Sequence, residues 1–272
     1  MALSIKATKS SIGIFDSGVG GLTVLKAITQ ILPHEDIVYL GDTARTPYGS
    51  KAKATVTRFT LEGVEYLLKY NIKALVIACN TASALVLPRL QRNLSIPVLG
   101  VIQPGVRAAL QVAGKQPIGV IGTRATIASQ AYAKHLLRLN KSSEVISQAC
   151  PLFVPLVEEG WLKGVYTSQI IKHYLAKLLK QKIKTLILGC THYPALKPAI
   201  KQVCGRQIKI IDSAHEVATQ LSKTLLQLGL KNNKNALGKQ KFLVTDIPEQ
   251  FIRVGKYILN RELNQVRHIS KF

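Results

Sequence analysis

Ala74-Leu75-Val76-Ile77-Ala78-Cys79-Asn80-Thr81 and Thr185-Leu186-Ile187-Leu188-Gly189-Cys190-Thr191-His192 read alike. Each is a continuous aliphatic run that ends in a cysteine followed by small polar residues. Continuous rather than alternating hydrophobicity marks a strand buried on both faces, as in a parallel sheet. Both cysteines then fall just past the carboxyl end of a strand, where open α/β sheets hold their ligands.

Other pairs recur in the same order at an offset of about 110 residues, the signature of a duplication. Ile12-Gly13-Ile14-Phe15-Asp16-Ser17 is echoed by Ile118-Gly119-Val120-Ile121-Gly122-Thr123, and Pro97-Val98-Leu99-Gly100-Val101 by Lys209-Ile210-Ile211-Asp212-Ser213. Two thiols at matching positions in two halves predict a cleft with one sulfur on each wall.

Apolar runs alternate with amphipathic stretches, which predicts an α/β fold of mostly parallel sheets flanked by helices. Strands are expected near 12–15, 37–40, 74–78, 98–101, 118–121, 186–188, 208–211 and 242–245. Helices are expected near 21–31, 52–69, 82–91, 105–112, 127–139, 168–180, 195–203 and 216–228, with one more from Pro248, and a mobile connection over 229–241. The repeat ends near Ser213, so one half must absorb the remainder. The expected division is a first lobe of residues 1–103 plus 214–272 and a second lobe of residues 104–213. These pseudo-symmetric lobes would be joined by two crossings that act as a hinge.

The chain has 272 residues, of which 47% are hydrophobic and 19% charged. That is a globular composition with ample core, and no run reaches the roughly 20 apolar residues of a membrane span. Met1–Ser11 carries Lys6 and Lys9 and no apolar stretch of signal-peptide length. The expected compartment is therefore the cytoplasm. Four cysteines in a chain this long make no disulfide framework, and no spacing suggests a zinc site. The net charge is +23, with no acid between Tyr66 and Ser143 or between Gly160 and Ile211. Such an excess attracts anions of any kind. The lysines are dispersed, however: Lys172, Lys177, Lys180, Lys182 and Lys184 read as the wet face and end of one helix. With only 6% aromatics, a base-stacking platform is not indicated.

The polar loops at strand ends carry the chemistry. Asp16-Ser17-Gly18-Val19-Gly20-Gly21 lacks the lysine of a phosphate loop and misplaces the third glycine of a dinucleotide turn. It reads as a tight turn presenting Asp16 and Ser17. Gly41-Asp42-Thr43-Ala44-Arg45-Thr46-Pro47-Tyr48-Gly49-Ser50 suits a loop that wraps a small polar ligand. Cys79-Asn80-Thr81 and Cys190-Thr191-His192 both precede helices, whose free amides favour an anion and are expected to lower a thiol pKa. His192 could move a proton beside Cys190, with Asp16 doing equivalent work near Cys79. Cys150 and Cys204 lack this setting and read as structural. Glu158 and Glu159 stand out for the scarcity of acids; a cleft position and a solvated loop are equally open.

At these residues the chain resembles the glutamate racemases, cofactor-independent enzymes that supply D-glutamate for peptidoglycan. The resemblance spans Ile12 to about Gly255. It rests on Gly13 to Gly21, Pro47-Tyr48-Gly49-Ser50-Lys51, Cys79-Asn80-Thr81, Pro155-Leu156-Val157-Glu158-Glu159-Gly160 and Gly189-Cys190-Thr191-His192-Tyr193-Pro194. It implies a two-base mechanism with no cofactor and no metal: Cys79 acting on D-glutamate and Cys190 on L-glutamate, assisted by Asp16 and His192 respectively. It also implies substrate contacts at Asp16, Ser17, Tyr48, Gly49, Asn80, Thr81, Thr191 and His192, with Thr123 a weaker candidate. The implied partner is glutamate itself, with no membrane, and the oligomeric state is left open. The competing readings are a racemase for aspartate or another small acid, a nucleic-acid- or topoisomerase-binding protein using the basic surface, and a thiol-redox enzyme whose cysteines approach closely enough to bridge.

Overall fold

The computed structural model describes residues 8–270; most of the polar opening stretch, Lys6 included, lies outside them. The strands are β1 (Ile12–Asp16), β2 (Ile37–Gly41), β3 (Ala74–Ile77), β4 (Val98–Gly100), β5 (Ile118–Gly122), β6 (Val145–Ala149), β7 (Thr185–Gly189), β8 (Lys209–Ile211), β9 (Gln240–Val244) and β10 (Val266–His268). They form two sheets, one ordered β10-β9-β2-β1-β3-β4 and the other β6-β5-β7-β8. Every pairing is parallel. The fold is therefore α/β, with two parallel sheets flanked by helices.

The second sheet repeats the order of four strands in the first: β2-β1-β3-β4 becomes β6-β5-β7-β8. In this correspondence β3 and β7, the strands that lead into Cys79 and Cys190, occupy equivalent central positions. Each is buried along its whole length, which is why both read as unbroken aliphatic runs. β9 and β10 extend the first sheet and have no counterpart in the second.

Helices α1 (Leu22–Ile31) and α10 (Ala214–Gln227) pack on each other. Residues Val217, Ala218, Leu221 and Leu225 recur at helical spacing on the buried face of α10. One continuous core holds Ile14 and Val76 from the first sheet together with Val120 and Ile187 from the second. Helix α4 (Ile102–Ala113), which follows β4, contributes Val106 and Ala109 to the same core. The halves are thus welded along one side. Burial of this apolar surface supplies the main driving force.

Four local differences from the sequence expectations have plain causes. The single helix expected over 127–139 is two, α5 (Arg124–Ala128) and α6 (Ala131–Leu139), because Gln130 between them adopts φ 56°. Strand β6 is only partly buried, and its Val-Ile-Ser-Gln-Ala sequence lacks an apolar run. Helix α7 (Phe153–Glu158) holds Pro155 within six residues. The 229–241 stretch is held down rather than mobile: the Asn232 amide donates to Glu35 Oε1 at 2.7 Å, and Asp36 takes Lys234 Nζ at 2.7 Å and the Lys239 amide at 2.6 Å. Across helix α8 (Val165–Lys180), Thr167, Ile171, Leu175 and Leu178 are buried while Lys172, Lys177 and Lys180 are exposed. The lysine run here is a solvated helix face. No helix among the described residues is long and apolar enough to cross a membrane.

Candidate active site

Helix α3 (Asn80–Asn93) begins one residue after Cys79, which caps it in extended conformation. Its first turn, Asn80 to Ser83, is buried. Ser83 Oγ donates to the Ile77 carbonyl at 2.8 Å and closes the strand-to-helix turn. On the other sheet β7 ends at Gly189, Cys190 follows, and His192 caps a short 3-10 turn over Tyr193–Leu196. The Tyr193 hydroxyl donates to the Cys150 carbonyl at 2.8 Å, anchoring that turn to the end of β6, two strands away.

Both cysteines line one cavity, together with Ser17, Thr46, Tyr48, Gly49, Asn80, Thr81, Thr123, Val154, Thr191 and His192. Its walls therefore come from segments that follow β1, β2 and β3 of the first sheet and β5, β6 and β7 of the second. The free space is small, roughly enough for one water. That space is smaller than an amino acid. Cys79 and Cys190 are 4% and 6% exposed, and all four cysteines are free thiols.

The glycines of the first loop permit this convergence. A Cβ on Gly20 would lie 2.4 Å from Thr191 Oγ1 and 2.5 Å from His192 Nδ1, so only glycine lets the second sheet's polar turn approach. The loop shapes the cavity wall, and what it presents differs from residue to residue. Ser17 lines the cavity, its Oγ 3.5 Å from Cys79 Sγ. Asp16 lies behind the wall, fully buried, accepting from the Gly18 amide at 3.0 Å and the Thr191 hydroxyl at 3.3 Å.

The other wall groups form a dense polar lattice. The hydroxyls of Thr81, Thr123 and Thr126 lie within 2.9–3.1 Å of one another. Asn80 Nδ2 donates to the Tyr132 hydroxyl at 2.7 Å. Tyr48 lines the cavity but directs its hydroxyl to Asp42 at 2.5 Å, and Arg45 Nε reaches the same carboxylate at 2.7 Å. The 41–50 loop is thus braced from within.

The charges are unequal on the two sides. His192 Nδ1 lies 3.9 Å from Cys190 Sγ, and its Nε2 lies 3.1 Å from Glu158 Oε1. Burial opposes protonation of this imidazole, but the hydrogen bonds to Cys190 and Glu158 prevail and hold its pKa up at about 10. At neutral pH, His192 is a cation beside Cys190. Cys79 is the reverse case: burial, reinforced by the neighbouring Asp16 carboxylate, pushes its thiol up to about 12. Helix amides were expected to lower it, and the Ala82 amide does act in that direction, but desolvation wins. Asp16 is itself raised by burial, partly offset by the His192 charge.

Glu158 belongs to this assembly, whereas Glu159 is exposed. Cys150 lies outside the cavity, buried behind it, and Cys204 ends helix α9 (Lys197–Cys204). Thr46, Asp42, Tyr132 and Val154 escaped the sequence reading. Thr46 and Asp42 sat inside the recognised 41–50 loop, while Tyr132 and Val154 carried no local signal. Among the described residues, no group of three or more His, Cys, Asp or Glu side chains is arranged to hold a metal ion.

A family model described as Asp/Glu/Hydantoin racemase matches residues 12–221. The chain is 50% identical over 260 residues to the glutamate racemase of Geobacter metallireducens, covering 96% of each. Among solved structures it is similar to a glutamate racemase from Bacillus anthracis, with TM-score 0.93 and 44% identity over 97% of this chain and 98% of that one. It also matches the glutamate racemase of Francisella tularensis in complex with D-glutamate, with TM-score 0.91 and 39% identity over the same shares.

Proposed function

The chain belongs to the Asp/Glu/Hydantoin racemase family, and from that premise we propose that it interconverts L- and D-glutamate by proton transfer between Cys79 and Cys190, supplying D-glutamate for peptidoglycan. The observation that carries this reading is the cavity itself: two free thiols, one from each sheet, facing the same small polar space. A racemase without a cofactor needs a base on one face of the α-carbon and an acid on the other. Equivalent strand ends of a duplicated fold supply such a pair.

The unequal charges favour one set of starting roles. Cys79, pushed up to about 12, is a thiol and acts as the acid. Cys190 has the His192 cation beside it, the neighbour that a thiolate base requires. This form is ready for L-glutamate. The Cys190 thiolate takes the α-proton and becomes a thiol, and the Cys79 thiol gives its proton to the opposite face and becomes a thiolate. The resulting enzyme is ready for D-glutamate, with Asp16 assisting Cys79 from behind the wall. Ser17, Tyr48, Gly49, Asn80, Thr81, Thr191 and His192 bind the substrate, and Thr123 buttresses Thr81. Wall amides and hydroxyls aimed at the carboxylate stabilise the developing carbanion charge in a site closed to water. The lobes, residues 1–103 plus 214–272 and residues 104–213, part about the two crossings to admit glutamate.

The test is polarimetry of L-glutamate with dialysed protein in D₂O, with EDTA and no added pyridoxal phosphate. Loss of rotation together with deuterium at the α-carbon of the product is expected. Turnover of aspartate but not glutamate would transfer the reading to the sister activity, and no exchange with any amino acid would refute it.

A further inference from the structure

We infer that the Thr46 hydroxyl is a substrate-binding group, donating a hydrogen bond to a carboxylate of the bound amino acid. The inference rests on the racemase reading above and adds a residue to its site.

Ser17, Tyr48, Asn80, Thr81, Thr123, Thr191 and His192 each have a hydrogen-bond partner within the protein. Among the described residues lining this cavity, Thr46 is the exception: its Oγ1 is shut off from solvent and has no partner. Buried polar groups are satisfied in the great majority of cases, and leaving one unpaired costs free energy. An orphan hydroxyl in the wall of a reaction cavity is a group whose partner arrives with the ligand.

Its position supports this. Thr46 has extended backbone (φ −63°, ψ 155°) at the end of the 3-10 turn Thr43–Arg45, directly before Pro47 and Tyr48. Its Oγ1 packs over Gly18, where a Cβ would lie 3.3 Å from it. The 41–50 loop thus holds this hydroxyl against the Asp16–Gly21 loop, on the first sheet's side of the cavity. The backbone around it is fixed by the Tyr48–Asp42 and Arg45–Asp42 bonds, so the donor is held in place before substrate arrives. A hydroxyl donating to an ionised acceptor makes one of the stronger hydrogen bonds available to a neutral side chain.

The experiment compares wild type, Thr46→Val and Thr46→Ser for racemisation of glutamate and for thermal melting of the free protein. Valine keeps the shape and removes the hydroxyl; serine keeps the hydroxyl. Thr46→Val is expected to lower kcat/KM by about tenfold or more, chiefly through KM. Its melting temperature should be unchanged or higher, since a buried unpaired hydroxyl has been removed. Thr46→Ser should stay within about threefold of wild type. A Thr46→Val enzyme with wild-type kcat/KM, or one whose loss of activity tracks a lower melting temperature, would overturn the inference. Wild-type racemisation is measured alongside, so failure of the racemase reading itself would be seen separately.

Discussion

A Cβ on Gly49 would lie 2.3 Å from Cβ of Thr123. The loop after β2 and the amino-terminal cap of α5 therefore touch across the two sheets with no room for a side chain. Thr123 holds its side of the contact through its bonds to Thr81 and Thr126. A single missing methyl lets the two sides of the cavity close on each other.

Gly49→Ala should accordingly impair closure rather than folding. The collision is relieved if the walls stay apart, so the melting temperature should change little while kcat/KM falls at least tenfold. Steady-state kinetics beside a thermal melt checks this. A variant that melts far below wild type would show the contact to be structural.

The His192–Glu158 pair predicts a pH dependence with a definite sign. The folded-state pKa of His192 is raised from 6.5 to about 10. Its contribution to stability is complete below about 6.5 and disappears as pH climbs through about 10. Glu158→Gln removes one of the two hydrogen bonds that sustain the cation, so the decline should begin at lower pH. Urea unfolding between pH 6 and 10 for both proteins measures the difference.

Far from the cavity, Lys73 and Glu35 form a buried ion pair at 2.5 Å. Lys73 also donates to the Thr8 carbonyl at 2.7 Å, and Glu35 accepts from Asn232. The pair therefore ties together four segments distant in sequence. Lys73→Ala strands a buried carboxylate and should cost about 3–5 kcal/mol, read from denaturant midpoints. Replacing both partners with apolar residues should recover much of that loss.

Much of the architecture is legible in the sequence because parallel strands buried on both faces advertise themselves. The runs ending at Cys79 and Cys190 mark β3 and β7, and the repeated order of strands follows from matching them. β6 and β10 are hidden because edge strands carry mixed polarity, and β10 is only three residues long. The same logic divides the site. Residues in Gly- and Cys-rich strand ends, such as Ser17, Gly49 and Thr191, are visible from local chemistry. Tyr132 is invisible because its bond to Asn80 joins residues 52 apart, and Thr46 because its significance lies in a partner it lacks. The pKa of Cys79 could not be read either: the helix amides are a local feature, whereas desolvation depends on the whole fold around the sulfur.

Cys150 provides the internal control for the thiol assignment. It is buried but lies outside the cavity, and Cys150→Ala removes only one small buried atom. A stability loss of about 1 kcal/mol is expected, with turnover near wild type at 25 °C. Circular dichroism and the racemisation assay together decide it.

The proposed proton transfer is tested most directly by a count of working sulfurs. Racemisation of L-glutamate, followed polarimetrically with folded Cys79→Ala and Cys190→Ala, supplies it. With either thiol gone, one face of the α-carbon has no proton donor or acceptor, and interconversion should fall to background in both variants. Wild-type turnover in either one would contradict the proposal that a proton passes between two cysteines.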